Sequence, residues 1–250
     1  MKTTYEKVYA LKYYDFDKNY RLKPTTLMNF LQDISTLHFE TKTADLPEGT
    51  LPGLWVIVEW NVTLLNMPRR VMDLTLRTEP TYFRKFIAYR RYEVLSDEGQ
   101  VIAEGVSKWA YIDPILRKQV NIPKVLNEVF GVPENAEKPA KFEFENMEGA
   151  LSKETKRKSV YADIDVNDHV NNVTYIGWAI DTLDGRFMSH HALNALKVVF
   201  KKEVLEDEVV SIQTKIKETA EKAVSDHAIV DENGALCVQM QFEWSTIPNV

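Results

Sequence analysis

Asp163-Ile164-Asp165-Val166-Asn167 decides how this chain is read, because Asp15-Phe16-Asp17-Lys18-Asn19 carries the same Asp-x-Asp-x-Asn pattern 148 residues earlier (163 − 15). An amphipathic helix is expected after each run. In the first half Leu27, Phe30, Leu31, Ile34, Leu37 and His38 fall on one stripe of a 3.6-residue helix, with Pro24 in its first turn. In the second half Val173, Ile176, Gly177 and Ile180 repeat the spacing, and Asp168 is the expected N-cap.

Stretches rich in β-branched and aromatic residues follow each helix. They are Trp55–Leu65, Val71–Thr78, Phe83–Leu95 and Val101–Ile112, then Leu196–Phe200, Glu208–Thr219, Lys222–Val230 and Ala235–Trp244. Asp97-Glu98-Gly99 and Asp231-Glu232-Asn233-Gly234 read as matching hairpin turns, and a Trp follows each, at Trp109 and Trp244. Strands that follow one another without intervening helices argue for an α+β plan and against a doubly wound parallel sheet. The expected organisation is a first copy over residues 1–130, a Pro- and charge-rich linker over 131–153 and a second copy over 154–250, with a short helix near Lys124–Phe130.

Composition narrows the functions. With 44% hydrophobic and 11% aromatic residues, the chain can build a packed core. Only nine glycines are present and neither glycine-rich nucleotide fingerprint occurs. A net charge of −6 disfavours nucleic acid as a partner. Met1–Lys12 is charged and lacks an apolar run, so no signal peptide is expected; one cysteine, Cys237, fits a reducing, cytoplasmic setting. No apolar run is long enough to cross a membrane.

The copies differ where chemistry would sit. His169 follows Asn167 by two residues, and its counterpart in the first copy is Arg21 (169 − 148). An imidazole exchanges a proton near neutral pH and a guanidinium does not. If the segment before the helix is extended, Asp163, Asp165, Asn167 and His169 share one side. Backbone amides at the helix start, at Val170 and Asn171, are then candidates to hold an oxyanion. An EF-hand would need Gly and Glu where Asp168 and Thr174 stand. The zinc motif H-E-x-x-H and the serine elbow G-x-S-x-G are both missing, and the tandem His190-His191 reads as a surface loop.

The segment from Asp165 to Trp178, Asp-Val-Asn-Asp-His-Val-Asn-Asn-Val-Thr-Tyr-Ile-Gly-Trp, resembles the signature of acyl-acyl-carrier-protein thioesterases, and Thr26–Asp33 resembles that family's other marked segment. The resemblance runs over nearly the whole chain. It implies a tandem double hotdog, each half an antiparallel sheet wrapped around a central helix. It implies hydrolysis of fatty acyl thioesters on acyl carrier protein without metal or organic cofactor. Asp165, Asn167 and His169 match the family's catalytic D-x-N-x-H motif, and Glu203 in Phe200-Lys201-Lys202-Glu203 matches its catalytic Glu. Where plant members carry Cys after that Glu, this chain has Val204, so an acyl-cysteine route loses support.

On this reading water attacks directly, with either Glu203 or Asp165 as the base beside His169. The first copy would hold the acyl chain, with Met28, Leu31, Ile34 and Trp55 as candidate walls. Carrier protein is acidic, which makes Lys153–Lys158 and Lys201-Lys202 candidate docking points. Oligomeric state stays open between monomer and homodimer. Rival readings are an acyl-CoA thioesterase or a dehydratase on the same scaffold, and a non-catalytic acyl-binding protein.

Overall fold

The computed structural model describes residues 4–148 and 150–247. The chain divides into two compact units, Met1–Phe142 and Glu143–Val250. The division falls inside the stretch read as linker, although that stretch ends in the first residue of a strand, Lys153.

Unit 1 begins with β1 (Tyr5–Ala10), passes a short 3-10 turn at Tyr13–Asp15 and enters α1 (Pro24–Thr43). Pro24 occupies the first turn of α1, where its missing N–H costs nothing. Four strands follow: β2 (Leu54–Leu64), β3 (Asp73–Arg84), β4 (Ile87–Leu95) and β5 (Val101–Ile112). A five-residue helix, α2 (Val125–Val129), comes next. The strands pair antiparallel in the order β1-β3-β4-β5-β2. Burial in β3 alternates residue by residue, the mark of a sheet with one face in the core. That core face receives α1 through Leu27, Met28, Leu31, Ile34 and His38, none more than 1% exposed. Each such aliphatic side chain contributes roughly 1.5–3 kcal/mol.

Unit 2 repeats the plan. It contains β6 (Lys153–Lys158), α3 (Asn172–Asp181), α4 (Gly185–His190), β7 (His191–Phe200), β8 (Val209–Glu218), β9 (Lys222–Asp231) and β10 (Leu236–Thr246). Its strands pair in the order β6-β8-β9-β10-β7, the order of unit 1 with five added to each label. Each unit is therefore a hotdog.

The repetition reaches single residue pairs. Ala88 faces Trp109, Arg90 faces Ser107 and Tyr92 faces Gly105 in unit 1. Ala223 faces Trp244, Ser225 faces Phe242 and His227 faces Met240 in unit 2. Each position has moved by 135 (223 − 88), and the turn glycines Gly99 and Gly234 share φ of 77°. Here φ lies where a side chain would be strained, so Gly sets the turn.

Three local expectations are corrected. The N-cap of α3 is Asn171, whose side chain accepts the Val173 N–H, and not Asp168. Asp168 instead takes a positive φ of 61° in the turn before it. The segment around His190-His191 is helix α4 running into β7, and His191 is buried, stacked on Phe187 at 4.2 Å.

Candidate active site

The Asp-x-Asp-x-Asn run is a turn, not an extended strand. Asp165 N–H donates to His169 O at 3.0 Å, Asp168 N–H to Asp165 O at 3.1 Å, and an isolated bridge joins Ile164 to Val170. The Asp165 carboxylate accepts the Asn167 N–H at 2.8 Å, as Asp does in local turns. Unit 1 folds its run identically: Asp17 N–H donates to Arg21 O, Tyr20 N–H to Asp17 O, and Tyr20 has φ of 55°. This shared turn explains the Asp at the third position of the run in both copies.

Asp163 does not join the cluster. It is buried, accepts the Val160 N–H at 3.0 Å and lies 3.6 Å from Arg157. Asp15 does the same for Lys12 in unit 1, so this position serves the turn in both copies.

What the turn presents in unit 2 is His169. Its Nδ1 lies 3.2 Å from Val170 O and 3.9 Å from an Asp165 oxygen. Its Nε2 lies 3.9 Å from Glu203 Oε2. A carbonyl only accepts, so the Val170 contact places hydrogen on Nδ1; in the neutral form of the ring Nε2 is then an acceptor facing Glu203. Two acceptors cannot bond each other. The 3.9 Å separation is one that a water donating a hydrogen to each, at about 2.8 Å, would span. Asn167 is exposed on the same turn, and Glu203 is exposed on the Nε2 side of His169. In unit 1 Arg21 occupies the place of His169, 3.7 Å from Asp17.

The carboxylates are not equivalent. Asp165 holds the Asn167 amide and lies 3.4 Å from Asn171 Nδ2, so both its oxygens serve the turn. Glu203 sits on the Nε2 side. Its position depends on Tyr175, a residue to which sequence reasoning gave no role: Val204 N–H donates to Tyr175 Oη at 3.0 Å and ties the segment carrying Glu203 to α3. Burial raises the Tyr175 pKa, which keeps the phenol neutral and able to hold that contact. The quoted signature contained Tyr175, but its partner lies 29 residues away.

The expected backbone oxyanion donors are corrected. Val170 N–H donates to Val204 O at 2.9 Å and Asn171 N–H to Asp163 O at 2.9 Å. Both amides close the turn onto its neighbours and are occupied. Cys237 is fully buried, and burial pushes its thiol pKa up, away from the reactive thiolate.

The four expected chain-binding residues separate. Unit 1 holds a cavity of about 300 Å³, whose lining includes Trp55, Phe39, Phe83, Phe130 and Arg90. Met28, Leu31 and Ile34 do not line it and are corrected to core. They are fully packed in α1, whereas the α1 residues that line the cavity are Ser35, Thr36 and Phe39.

Most of the expected docking cations are committed within unit 2. Lys153 Nζ donates to Thr182 O, Lys158 pairs with Asp207 and Lys202 with Asp231. Arg157 reaches Asp163 and Asp181 and covers the Trp178 ring at 4.9 Å. Lys156 and Lys201 are exposed and form no ion pair among the described residues. The charges on β6, which pairs only with β8, also guard a strand against pairing with another chain.

Two hotdogs in tandem, with a His–carboxylate cluster built into the second and an arginine in its place in the first, define a diverged internal duplication of one fold. The acyl-ACP thioesterase N-terminal domain pattern matches residues 2–130, and the C-terminal domain pattern matches 147–246. The chain belongs to the acyl-ACP thioesterase family.

Curated relatives include oleoyl-acyl carrier protein thioesterase 2 of Arabidopsis thaliana, 25% identical over 89% of this chain and 65% of the relative. Another is a palmitoyl-acyl carrier protein thioesterase of Gossypium hirsutum, 24% identical over 94% and 62%. The chain thus spans just under two thirds of their length, and both are chloroplastic. Similar solved structures include a 12:0-ACP thioesterase from Umbellularia californica, with TM-score 0.83 and 18% identity over 98% of this chain and 94% of that one. An acyl-ACP thioesterase from Bacteroides thetaiotaomicron gives TM-score 0.79 and 18% identity over 96% and 97%.

Proposed function

We propose that this protein hydrolyses fatty acyl thioesters of acyl carrier protein to free fatty acid and carrier thiol. The observation that carries the reading is His169 Nε2 and Glu203 Oε2 held 3.9 Å apart. A water donating to both is oriented for attack on a thioester carbonyl placed beside Asn167. Its oxygen bonds to the carbonyl carbon, Glu203 takes its proton, and the C–S bond breaks as the tetrahedral intermediate collapses. The departing thiolate takes back a proton. Glu203 is the base in this scheme because it lies on the Nε2 side of His169, while Asp165 holds the turn on the Nδ1 side. Asp165 would orient the imidazole from the Nδ1 side, and the Asn167 side chain would steady the carbonyl oxygen. The buried Cys237 takes no part.

The test is turnover by folded His169→Ala and Glu203→Gln proteins. Each should lose about 10²–10⁴-fold in kcat, the range for losing a general base, while Cys237→Ser keeps most of its activity. Wild-type rates in the first two proteins would refute the assignment. Carrier-protein and CoA thioesters assayed side by side decide between the two substrate classes; no turnover of either supports the acyl-binding alternative.

The acyl chain would occupy unit 1, with Trp55 as one wall. Lys156 and Lys201 are the free cations suited to an acidic carrier protein. Lys201→Glu should raise KM for acyl-ACP several-fold at low salt, and the difference from wild type should shrink in 0.5 M salt, where the screening length falls to a few ångströms. No helix among the described residues is long and apolar enough to cross a membrane. A cytoplasmic, reducing location agrees with one unpaired, buried cysteine. A monomer agrees with two hotdogs joined in one chain, and a homodimer is the alternative that sedimentation would reveal.

A further inference from the structure

The cavity of unit 1 contains a group that an apolar chain does not explain. Arg90, on β4, lines it and is only 7% exposed. Its Nη1 lies 2.9 Å from His38 Nδ1 and 3.2 Å from Thr78 Oγ1. Neither partner carries negative charge. Arg90 donates, so His38 Nδ1 accepts and the ring is neutral; burial and the Arg90 charge together push the His38 pKa down to about 3. No carboxylate pairs with Arg90 among the described residues. Around it stand Phe39, Trp55, Phe83 and Phe130. A buried guanidinium with no counter-charge is expensive for a fold.

The fold does not require that charge. The offset of 135 that relates Tyr92 to His227 and Trp109 to Trp244 places Ser225 at the position of Arg90 (90 + 135). In unit 2 the surrounding network is completed with neutral groups alone: Ser225 meets His227 Nε2 at 2.9 Å and the Trp244 N–H at 2.9 Å, and His227 Nδ1 meets Thr214 at 3.2 Å. The same scaffold therefore closes without a cation, and unit 1 keeps one in a residue that lines its cavity.

We propose that the unit 1 cavity receives the carboxylate of an unbranched chain, with Arg90 binding the head and Phe39, Trp55, Phe83 and Phe130 packing on the methylenes. Two sources share this chemistry: a free fatty acid entering head first, and an acyl thioester with a second carboxylate at its far end. The site stands on the cavity itself. The hydrolase reading adds only that the free acid would be the enzyme's own product, which would then compete with the chain of incoming substrate.

The test is calorimetric binding to the full-length protein at pH 8, with ligands below their micelle concentrations. Decanoate should bind wild type at least about tenfold more tightly than decanol, as expected for a charge-assisted contact. Arg90→Gln should erase that preference while leaving decanol within about twofold. Thr36→Trp, an exposed substitution at the cavity wall, should block decanoate even if Arg90→Gln does not fold. His169→Ala should bind decanoate as wild type does, which separates this site from the catalytic one and leaves the result independent of turnover. If only the pantetheine half-thioester of decanedioic acid binds better than decanol, the far-end carboxylate is the source. Equal binding of all three ligands by wild type, or loss of decanoate binding in His169→Ala, overturns the proposal.

Discussion

Tyr175 shows how one side chain off the reacting centre can govern it. Its hydroxyl accepts the buried Val204 N–H at 3.0 Å, and Val204 O in turn accepts Val170 N–H, the amide next to His169. The His169 turn and the Glu203 segment are thus joined through Val204 on both its polar atoms. Tyr175→Phe keeps the ring and deletes the acceptor. It should cost about 1–3 kcal/mol in unfolding free energy, the penalty for stranding a buried amide. Because Glu203 loses its anchor, kcat should fall more than KM changes, and adding back stability elsewhere should not restore it. A fully active Tyr175→Phe would mean that Val204 alone fixes the geometry. Cys237 is the opposite case. It lies fully buried in unit 2, where burial raises its thiol pKa and leaves it a packing group.

At the scale of elements, α3 begins where Asn171 closes it. The Asn171 side chain accepts Val173 N–H at 2.8 Å, while its own N–H is spent on Asp163 O. Asn171→Ala should lower stability by about 1 kcal/mol, read as a shift of the urea midpoint with unchanged slope. Asn171→Ser should recover most of it, since a hydroxyl caps as an amide does, whereas Asn171→Asp would set a second carboxylate against Asp165 and recover less. This helix start also marks where sequence reading stops. The Asp-x-Asp-x-Asn repeat, the α1 stripe and the two hairpin turns were legible because each depends on neighbours in the chain. Asp168 looked like the cap because Asp is a common one, but the turn needs a left-handed residue there and moves the cap three residues on. The amides of Val170 and Asn171 looked available because their acceptors, Val204 O and Asp163 O, are set by folding and not by local spacing. Periodicity likewise identified Met28, Leu31 and Ile34 as buried without telling a packed wall from a hollow one. The 135-residue offset of the hairpins, 13 short of the offset of the turns (148 − 135), became visible only once strand register was known.

For the molecule as a whole, two deeply buried imidazoles, His38 in unit 1 and His227 in unit 2, predict how stability responds to acid. His38 and His227 are 0% and 1% exposed, and burial lowers each pKa from 6.5 to about 3, with the Arg90 charge adding to the effect at His38. Folded, neither takes a proton until well into acid; unfolded, each does so near pH 6.5. The unfolded chain therefore binds more protons between these values, and stability must fall as pH drops below 6.5 toward 3. From pH 7 to pH 5 the loss should be roughly 2 kcal/mol per histidine, from the unfolded-state titration alone. His227→Gln offers amide groups to the hydroxyls of Thr214 and Ser225 and cannot titrate. Whatever its stability at pH 7, its further loss between pH 7 and pH 5 should be smaller than that of wild type by about 2 kcal/mol, measured by urea unfolding at both pH values. Parallel losses in the two proteins would place the acid sensitivity outside unit 2's core. The same window bears on the proposed catalysis, because acid that opens either unit would remove a different part of the proposed site: the unit 1 cavity with His38, the His169 turn with His227.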